Sequence, residues 1–249
     1  GMGVDIAGLH EDGRIAIGIG NFSREAVSLY TQITAGEALF LDGAGRRRLV
    51  QPTLRTLTFG LKFFDYDLDG RLDLMLANGH IEPEINAVQK EIGYEQPAQL
   101  FWNDGAGHLL DAGAQGGAFF DEPIVARGLA IGDLEADGDV DVLLSTNGGP
   151  ARVLRNEAAD GQRQSLSLQL IGEAPAVDAL GARVSLTAGG ESQWREVRTG
   201  SSYLSHNSPV LVFGLGSSGR ADSVTVRWPD GRTQDLGPLE AGHWVVRPD

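Results

Sequence analysis

Two nine-residue loops rich in acidic residues, 65–73 and 133–141, contain the side chains of this sequence that are best suited to chemistry. In the first loop, carboxylates stand at positions 1, 3, 5 and 9, namely at Asp65, Asp67, Asp69 and Asp73. Gly70 at position 6 lets the backbone bend sharply, so that these side chains converge on one point. Calcium prefers such oxygen ligands and also accepts backbone carbonyls, here that of Arg71. The loop therefore predicts a calcium site.

The second loop repeats this pattern with one substitution. Its acidic side chains at positions 1, 3, 5 and 9 are Asp133, Glu135, Asp137 and Asp141. Glu135 is one methylene longer than aspartate, which calcium tolerates because its coordination is flexible, and Asp139 would offer its backbone carbonyl. Converging carboxylates repel one another strongly when no cation lies between them. We therefore expect about two Ca²⁺ ions in this chain.

Two other interpretations of the loops can be compared with this one. An EF-hand would need a glutamate at position 12 and flanking helices. Position 12 is Leu76 in one loop and Leu144 in the other, each within an apolar stretch typical of a buried strand, which excludes the EF-hand. The loops could also be solvated hairpin tips that bind no metal. Their recurrence in register argues against this second alternative.

The loops lie within a block that the sequence repeats three times, beginning at Gly3, Gly60 and Gly128. Each copy is predicted to form a strand, an acidic turn and a second strand. A shorter piece after each block supplies an outer strand, so each unit is interpreted as a four-stranded propeller blade. The first copy retains a single carboxylate and is expected to bind no ion, because its four ligand positions are Gly8, His10, Asp12 and Ala16.

An inserted segment, residues 79–97, follows the second block. Pro83 could open a short helix there, with the apolar residues Ile85, Val88 and Ile92 on one face. The same segment carries His80, Glu82 and Glu84, which could form a small metal site. The alternative interpretation is that these three polar residues lie on the surface and bind no metal.

The repeat ends near residue 160, where the composition becomes polar. Beyond it, apolar and polar residues alternate as in strands, and the glycine pair 189–190 and the Pro-Asp-Gly turn 229–231 predict hairpins. We therefore predict an all-β chain with a partial β-propeller of about three blades at residues 1–160 and a small β-sandwich-like domain at 161–249. Three blades are fewer than a closed propeller needs. Either further blades precede them, or the C-terminal domain and a partner chain cover the ends.

The composition excludes several classes of function. With 34 acidic and 20 basic residues, the net charge of −14 repels nucleic acids, so no nucleic-acid partner is expected. No segment approaches the roughly 18 consecutive apolar residues of a membrane span, and the first residues do not resemble a signal peptide. The absence of cysteine excludes disulfides, thiolate zinc sites and cysteine nucleophiles.

Enzyme interpretations find little support in the sequence. Ser201, Ser202 and His206 could be arranged into a hydrolase triad, but no G-x-S-x-G motif accompanies them. P-loop and dinucleotide-binding motifs are absent as well. Four aromatic residues of the tail could form a platform for sugars or could pack into a β core, namely Trp194, Tyr203, Trp228 and Trp244.

Short motifs of the second half form a recognisable set: DALGARV from Asp178, REV from Arg195, GSSYLS from Gly200, FGLG from Phe213 and VRWPDG from Val226. The set resembles the ASPIC/UnbV domain of cartilage acidic protein-like proteins, and NGHIEP from Asn78 is similar to this family too. The three repeated blocks resemble FG-GAP or VCBS propeller repeats. This resemblance implies a calcium-binding β-propeller followed by a small β domain, usually in exported or cell-surface proteins. It implies no settled activity.

We therefore expect a calcium-binding module for binding or adhesion, located at an extracellular, periplasmic or cell surface, that recognises a protein or carbohydrate partner and is not an enzyme. One alternative is a structural accessory region of a larger protein. Another is an enzyme that acts on polysaccharide. A convergent acid and base pair beside the aromatic residues would favour the enzyme, whereas exposed aromatic residues without such a pair would favour the binding module.

Overall fold

The computed structural model describes residues 1–9, 13–159 and 162–249, and β-strands make up most of its regular structure. Three blade-like sheets follow one another along the chain, and two further sheets form its C-terminal part. The predicted all-β fold, with propeller-like blades followed by a second β unit, is confirmed.

The first blade is a four-stranded antiparallel sheet. Its strands are β1 (Val4–Ala7), β2 (Ala16–Ile19), β3 (Ser28–Gln32) and β4 (Phe40–Asp42). Because side chains alternate between the two faces of a strand, Ala7 is buried against the second blade, whereas Val4 and Ile6 on the other face are 40% and 38% exposed. One face of this blade is therefore covered and the other is largely open.

The second blade follows the short helix α1 (Val50–Thr53) and lies between its two neighbours. Its strands are β5 (Thr58–Phe64), β6 (Asp73–Asn78), β8 (Gln99–Asn103) and β9 (Leu109–Asp111), while β7 (Gln96–Pro97) belongs to the insertion between β6 and β8. Every residue of β5 and β6 is buried. One face contributes Leu61 and Leu76 to a core with the first blade, and the other contributes Met75 to a core with the third.

The insertion contains less helix than the sequence predicts. Helix α2 (Ile85–Val88) is a single turn that begins two residues after Pro83. Ile85 and Ile92 are buried, but Val88 is 82% exposed. The predicted common face is therefore wrong for Val88, because the helix ends at that residue and cannot continue the helical spacing to Ile92.

The third blade has three strands in the part of the chain that the structure describes, where four were expected. It follows helix α3 (Gly113–Gly116), a 3₁₀ turn (Ala118–Asp121) and β10 (Pro123–Ile124), which pairs with β7. Its strands are β11 (Ala126–Gly132), β12 (Asp141–Thr146) and β13 (Arg152–Leu154). After β13, Asn156 and Ala159 hydrogen-bond to the second acidic loop and form no outer strand.

The C-terminal part is built from two sheets around one apolar core. One sheet contains β14 (Gln164–Leu170), β17 (Leu211–Gly216) and β20 (Gly242–Val246), in the order β17–β14–β20. The other contains β15 (Arg183–Ala188), β16 (Glu191–Glu196), β18 (Arg220–Arg227) and β19 (Thr233–Glu240), in the order β16–β15–β18–β19. The two predicted hairpins are present, since β15 pairs with β16 and β18 with β19. The boundary between 160 and 161 stays a prediction and lies outside the described residues.

Residues 199–208, which we call the axial segment, run along the first strands of all three blades. Ser202 donates its N–H to the Val4 carbonyl at 2.9 Å. Three blade N–H groups donate to side chains of the segment at 3.0 Å each: Leu61 to Ser202 Oγ, Leu129 to Ser205 Oγ, and Ile131 to Asn207 Oδ1. The axial segment therefore satisfies strand groups that would otherwise lack partners.

Candidate metal centre

The two acidic loops occupy equivalent places in neighbouring blades. Residues 65–73 connect β5 to β6, and residues 133–141 connect β11 to β12. Position 4 of each loop adopts a left-handed conformation, with φ of 58° at Leu68 and 60° at Ala136. Position 6 does the same, with φ of 94° at Gly70 and 97° at Gly138, which explains why both loops carry glycine there.

The carboxylate at position 1 organises each loop through backbone hydrogen bonds. Asp65 accepts the N–H of Asp69 at 3.1 Å and that of Gly70 at 2.8 Å. Asp133 accepts the N–H groups of the equivalent residues, Asp137 and Gly138, at 3.2 and 3.1 Å. The two loops therefore share one internal scaffold.

The carboxylate at position 9 ties each loop to the third strand of its blade or to the residues just after it. Asp73 accepts the N–H of Tyr66 at 3.0 Å and that of Asn103 at 2.8 Å. Asp141 likewise accepts the N–H groups of Leu134 and Asn156 at 2.8 and 2.9 Å. Sequence reasoning missed both asparagines, although an asparagine follows the apolar residues of this third strand in FWN and VLRN.

Three aspartates of the first loop form a group that could hold a metal ion. One carboxylate oxygen from each of Asp65, Asp67 and Asp73 lies within 4.8 Å of the other two. Asp65 and Asp73 are buried and Asp67 is half-buried. Asp69, the fourth predicted ligand, is not in this group; its carboxylate forms an ion pair with Arg71 and accepts the Arg71 N–H at 2.8 Å. The donor set consists of hard oxygen ligands, which fit calcium.

Burial and mutual repulsion disfavour the charged forms of these carboxylates. The pKa of Asp65 is raised to about 7, mainly by desolvation and further by Asp69 and Asp67, while Arg195 opposes the shift. Desolvation, with Asp65 and Asp67 as neighbours, also raises the pKa of Asp73 well above its ordinary value. A bound cation would counteract both effects, because it stabilises the ionised carboxylates.

Two arginines supply part of the balancing charge. Arg163 forms an ion pair with Asp67, with 2.7 Å between Nη1 and Oδ2. Arg195 lies against the loop and donates to the Gly70 carbonyl at 3.4 Å. Burial lowers the pKa of Arg195 to about 10, although Asp65 and Asp73 act in the opposite direction. Both arginines belong to the chain beyond the third blade, so the loop is also a contact between the two parts of the molecule.

The second loop has the same backbone scaffold but more open side chains. Glu135 and Asp137 are exposed, and Glu135 pairs with Arg155 at 2.6 Å. Asp139, predicted to contribute a backbone carbonyl, is fully buried, and among the described residues its side-chain Oδ1 has no hydrogen-bond partner. Desolvation raises its pKa, and Asp137 and Asp141 add to the shift. A buried carboxylate oxygen without a partner is a chemical reason to expect a cation nearby. Ligation by the carbonyls of Arg71 and Asp139 stays a prediction.

The first copy of the repeat has a different role. Gly8 stands where the other copies carry aspartate, and the indole of Trp194 fills the space above it: a Cβ built on Gly8 would lie 2.3 Å from Trp194 Cε2. Ala16, the last of its four ligand positions, is fully buried in β2. His10 and Asp12 lie outside the described residues.

The other candidate residues have structural partners. Ser201 Oγ accepts a hydrogen bond from Lys62 Nζ at 2.8 Å, and Ser202 Oγ accepts the N–H of Leu61. Within the described residues, the ring of His206 makes no hydrogen bond to either serine. His80 is buried: its Nδ1 accepts the N–H of Glu82 at 3.0 Å, and its Nε2 lies 3.4 Å from Ser23 Oγ. The triad and the small metal site on the insertion therefore find no support.

The four aromatic residues are not gathered into one exposed platform. Trp228 is buried in the C-terminal core, Tyr203 packs edge-on against Phe59 at 4.8 Å between centroids, and Trp194 covers Gly8. Trp244 is 41% exposed. Packing therefore explains most of these side chains.

None of the described helices has the length and apolar character needed to cross a membrane.

Comparison with known proteins places both parts of the chain. Residues 172–247 match the family model described as ASPIC and UnbV. The chain is 28% identical over 241 residues to cartilage acidic protein 1 of Xenopus tropicalis, covering 93% of this chain and 34% of that protein. It is also 28% identical over 236 residues to cartilage acidic protein 1 of Homo sapiens, covering 93% of this chain and 33% of that protein. The chain thus spans about a third of the length of these relatives. The C-terminal part of the chain thus matches the ASPIC/UnbV family model and is called the ASPIC/UnbV domain below, in a chain that is similar to cartilage acidic protein 1 along nearly all of its length.

Proposed function

We propose that this chain is a calcium-binding module that acts outside the cytoplasm and recognises a protein or carbohydrate partner. The observation that carries the proposal is the convergence of Asp65, Asp67 and Asp73, whose ligand atoms lie within 4.8 Å of one another. The equivalent scaffold at Asp133 and Asp141 supports a second ion. Calcium would hold both loops in one conformation and thereby stabilise the surface around them.

The location and the type of role are supported by the relatives. Their name places an acidic protein in cartilage and specifies no reaction. This chain shares the acidic character, with a net charge of −14. We therefore propose a binding or adhesion role at an extracellular, periplasmic or cell surface.

Isothermal titration calorimetry with calcium on chelator-treated protein tests the proposal. The parent chain is expected to bind about two ions. A variant with Asp67, Asp69, Asp133 and Asp137 changed to Asn should lose both sites. A matched control neutralises four exposed glutamates away from the loops, by changing Glu25, Glu37, Glu95 and Glu191 to Gln, and should bind like the parent.

The control separates specific ligation from net charge. If the parent binds no calcium, or if the two variants bind it equally well, the loops are solvated turns and the proposed function fails.

A further inference from the structure

Both acidic loops contact the chain that leads into the ASPIC/UnbV domain. On the first loop, Asp67 pairs with Arg163 at 2.7 Å. On the second, Asp139 Oδ2 accepts the N–H of Ala159 at 3.1 Å, and the Gly138 carbonyl accepts the hydroxyl of Ser165 at 2.5 Å. Residues on either side of the predicted domain boundary are therefore fastened to the candidate ligands or their immediate neighbours.

The first loop also contacts the body of the ASPIC/UnbV domain. Gly214 of β17 donates its N–H to Asp65 Oδ2 at 3.2 Å, and Gly216 donates to the Leu68 carbonyl at 2.9 Å. The contact is close, since a Cβ built on Gly214 would lie 2.2 Å from Asp65 Oδ2. One carboxylate thus belongs both to the group of three aspartates and to the domain contact.

The two loops are joined to each other through the same region. Asn156 donates its N–H to Asp141 and its side-chain Nδ2–H to the Tyr66 carbonyl, the latter at 2.7 Å. Asp139 Oδ1 is fully buried, accepts no hydrogen bond from the residues that the structure describes, and lies in this joined region. That oxygen is a second observation, independent of the group of three aspartates, that points to a cation.

We propose that the two loops form a calcium-dependent joint that fixes the ASPIC/UnbV domain against the blades. The proposal rests on calcium binding at these loops. With calcium, the carboxylates keep the orientation in which they accept the N–H groups of Gly214, Asn156 and Ala159. Without calcium, repulsion among Asp65, Asp67 and Asp73 turns them apart and weakens those hydrogen bonds. Calcium therefore reduces the relative motion of the two parts.

Pulsed electron–electron double resonance on the full chain measures this motion. The chain has no cysteine, so labels can be placed at Ala35→Cys in the first blade and Ser223→Cys in the ASPIC/UnbV domain, both at exposed positions. Calcium is expected to give a narrow distance distribution, and a chelator should broaden it or move its maximum. A control pair within the blades, Ala35→Cys and Ala114→Cys, should not respond to calcium.

A second measurement uses the reciprocity of linked equilibria. If calcium favours docking of the ASPIC/UnbV domain on the blades, then a substitution that weakens this docking must also weaken calcium binding, by the same factor. Ser165→Ala removes the hydroxyl that bonds to the Gly138 carbonyl and leaves every candidate carboxylate ligand in place, and it should lower calcium affinity roughly 5- to 150-fold, the range of typical coupling energies. Gly219→Ala, where a Cβ meets only Gln164 Oε1 at 3.7 Å, should leave it unchanged. Circular dichroism checks that both variants are folded.

The outcomes separate the joint from calcium binding itself. If calorimetry detects calcium binding but the label distances are the same with chelator, the joint is wrong and the proposed function stands. If calorimetry detects no calcium binding, both proposals fail. Calcium-dependent distances together with weaker calcium binding in Ser165→Ala support the joint.

Discussion

The indole of Trp194 covers Gly8, at the position where the other two copies of the repeat carry Asp65 and Asp133. An aspartate at residue 8 would collide with this ring, and a glycine leaves room for it. The loss of the ligand in the first copy therefore coincides with the gain of an aromatic contact to the ASPIC/UnbV domain. The guanidinium of Arg183 stacks over the Trp194 ring, 3.9 Å from its centroid.

Substitution of Gly8 tests the closeness of this contact. We expect Gly8→Ala to destabilise the chain by about 1–3 kcal/mol, because the added methyl group overlaps the indole. Gly45→Ala is the matched control, since a Cβ at Gly45 meets no atom within 4 Å. Urea unfolding of the two variants measures the difference, and equal stabilities would show that Trp194 can move aside without loss.

His80 should make the stability depend on pH. Burial lowers its pKa from 6.5, with Arg127 adding to the shift and Glu82 opposing it. The folded protein therefore keeps the ring neutral while the unfolded chain takes up a proton below about pH 6.5. This contribution to stability is complete above that pH and is lost as the pH falls. The full loss is about 1.4 kcal/mol for each unit by which folding lowers the pKa of His80.

Unfolding free energies at about pH 7.5 and pH 5.5 measure this loss. The decrease should be smaller in His80→Gln, which cannot be protonated, than in the parent chain. Groups other than His80 titrate in both proteins, so equal decreases would show that His80 contributes nothing and would contradict this expectation.

At the scale of elements, the strands of the blades were predictable because their apolar residues alternate or run continuously, and these patterns follow directly from burial on one face or on both. The positions of the acidic loops were predictable too, because each loop lies between two such strands at a fixed place in the repeat. Asn103 and Asn156 were missed because their N–H bonds to Asp73 and Asp141 could be made by almost any residue type, and the recurrence of asparagine in FWN and VLRN was the signal that could have found them. The short helix α2 was overextended because local spacing does not show where tertiary contacts end a helix.

The axial segment provides a test at this scale. Asn207 is buried and accepts the N–H of Ile131, while its amide donates to the Thr199 carbonyl and to Ser201 Oγ. We expect Asn207→Ala to cost about 1–3 kcal/mol of unfolding free energy, because the half-buried Ile131 N–H loses its partner. Asn147→Ala removes an exposed amide that bonds to Tyr94 and should have little effect. Thermal or urea unfolding distinguishes the two, and similar losses would show that the segment is only loosely held.

At the scale of the whole molecule, the division into repeated blades and a β tail could be predicted from sequence, but the contact between these parts could not. Gly214 and Asp65 are 149 residues apart, and neither residue carries a local signal that the other is its neighbour. Composition and periodicity describe the elements one at a time. The placement of both acidic loops at the ASPIC/UnbV domain follows only from the three-dimensional arrangement.

Calcium should stabilise the molecule as a whole. An ion that binds only the folded chain adds roughly 2.7 kcal/mol when its free concentration is 100-fold above the dissociation constant. Two ions would also reduce the magnitude of the net charge of −14 by four units. We expect a higher urea midpoint with calcium than with chelator, and no such change in the variant with four loop aspartates replaced. A midpoint that is independent of calcium in the parent would contradict this expectation.

The Trp194 contact also determines how the two parts can move. It joins the first blade to the ASPIC/UnbV domain through an aromatic ring on a glycine, an apolar contact that needs no ion. The acidic-loop contacts at the second and third blades depend on carboxylates, whereas the axial segment bonds to all three blades through backbone, serine and asparagine groups. Removal of calcium should therefore loosen the acidic-loop contacts and leave the Trp194 contact and the axial segment in place, so that the domain tilts without separating. Labels beside Gly8 or the axial segment would hardly move, and labels beside the acidic loops would move most.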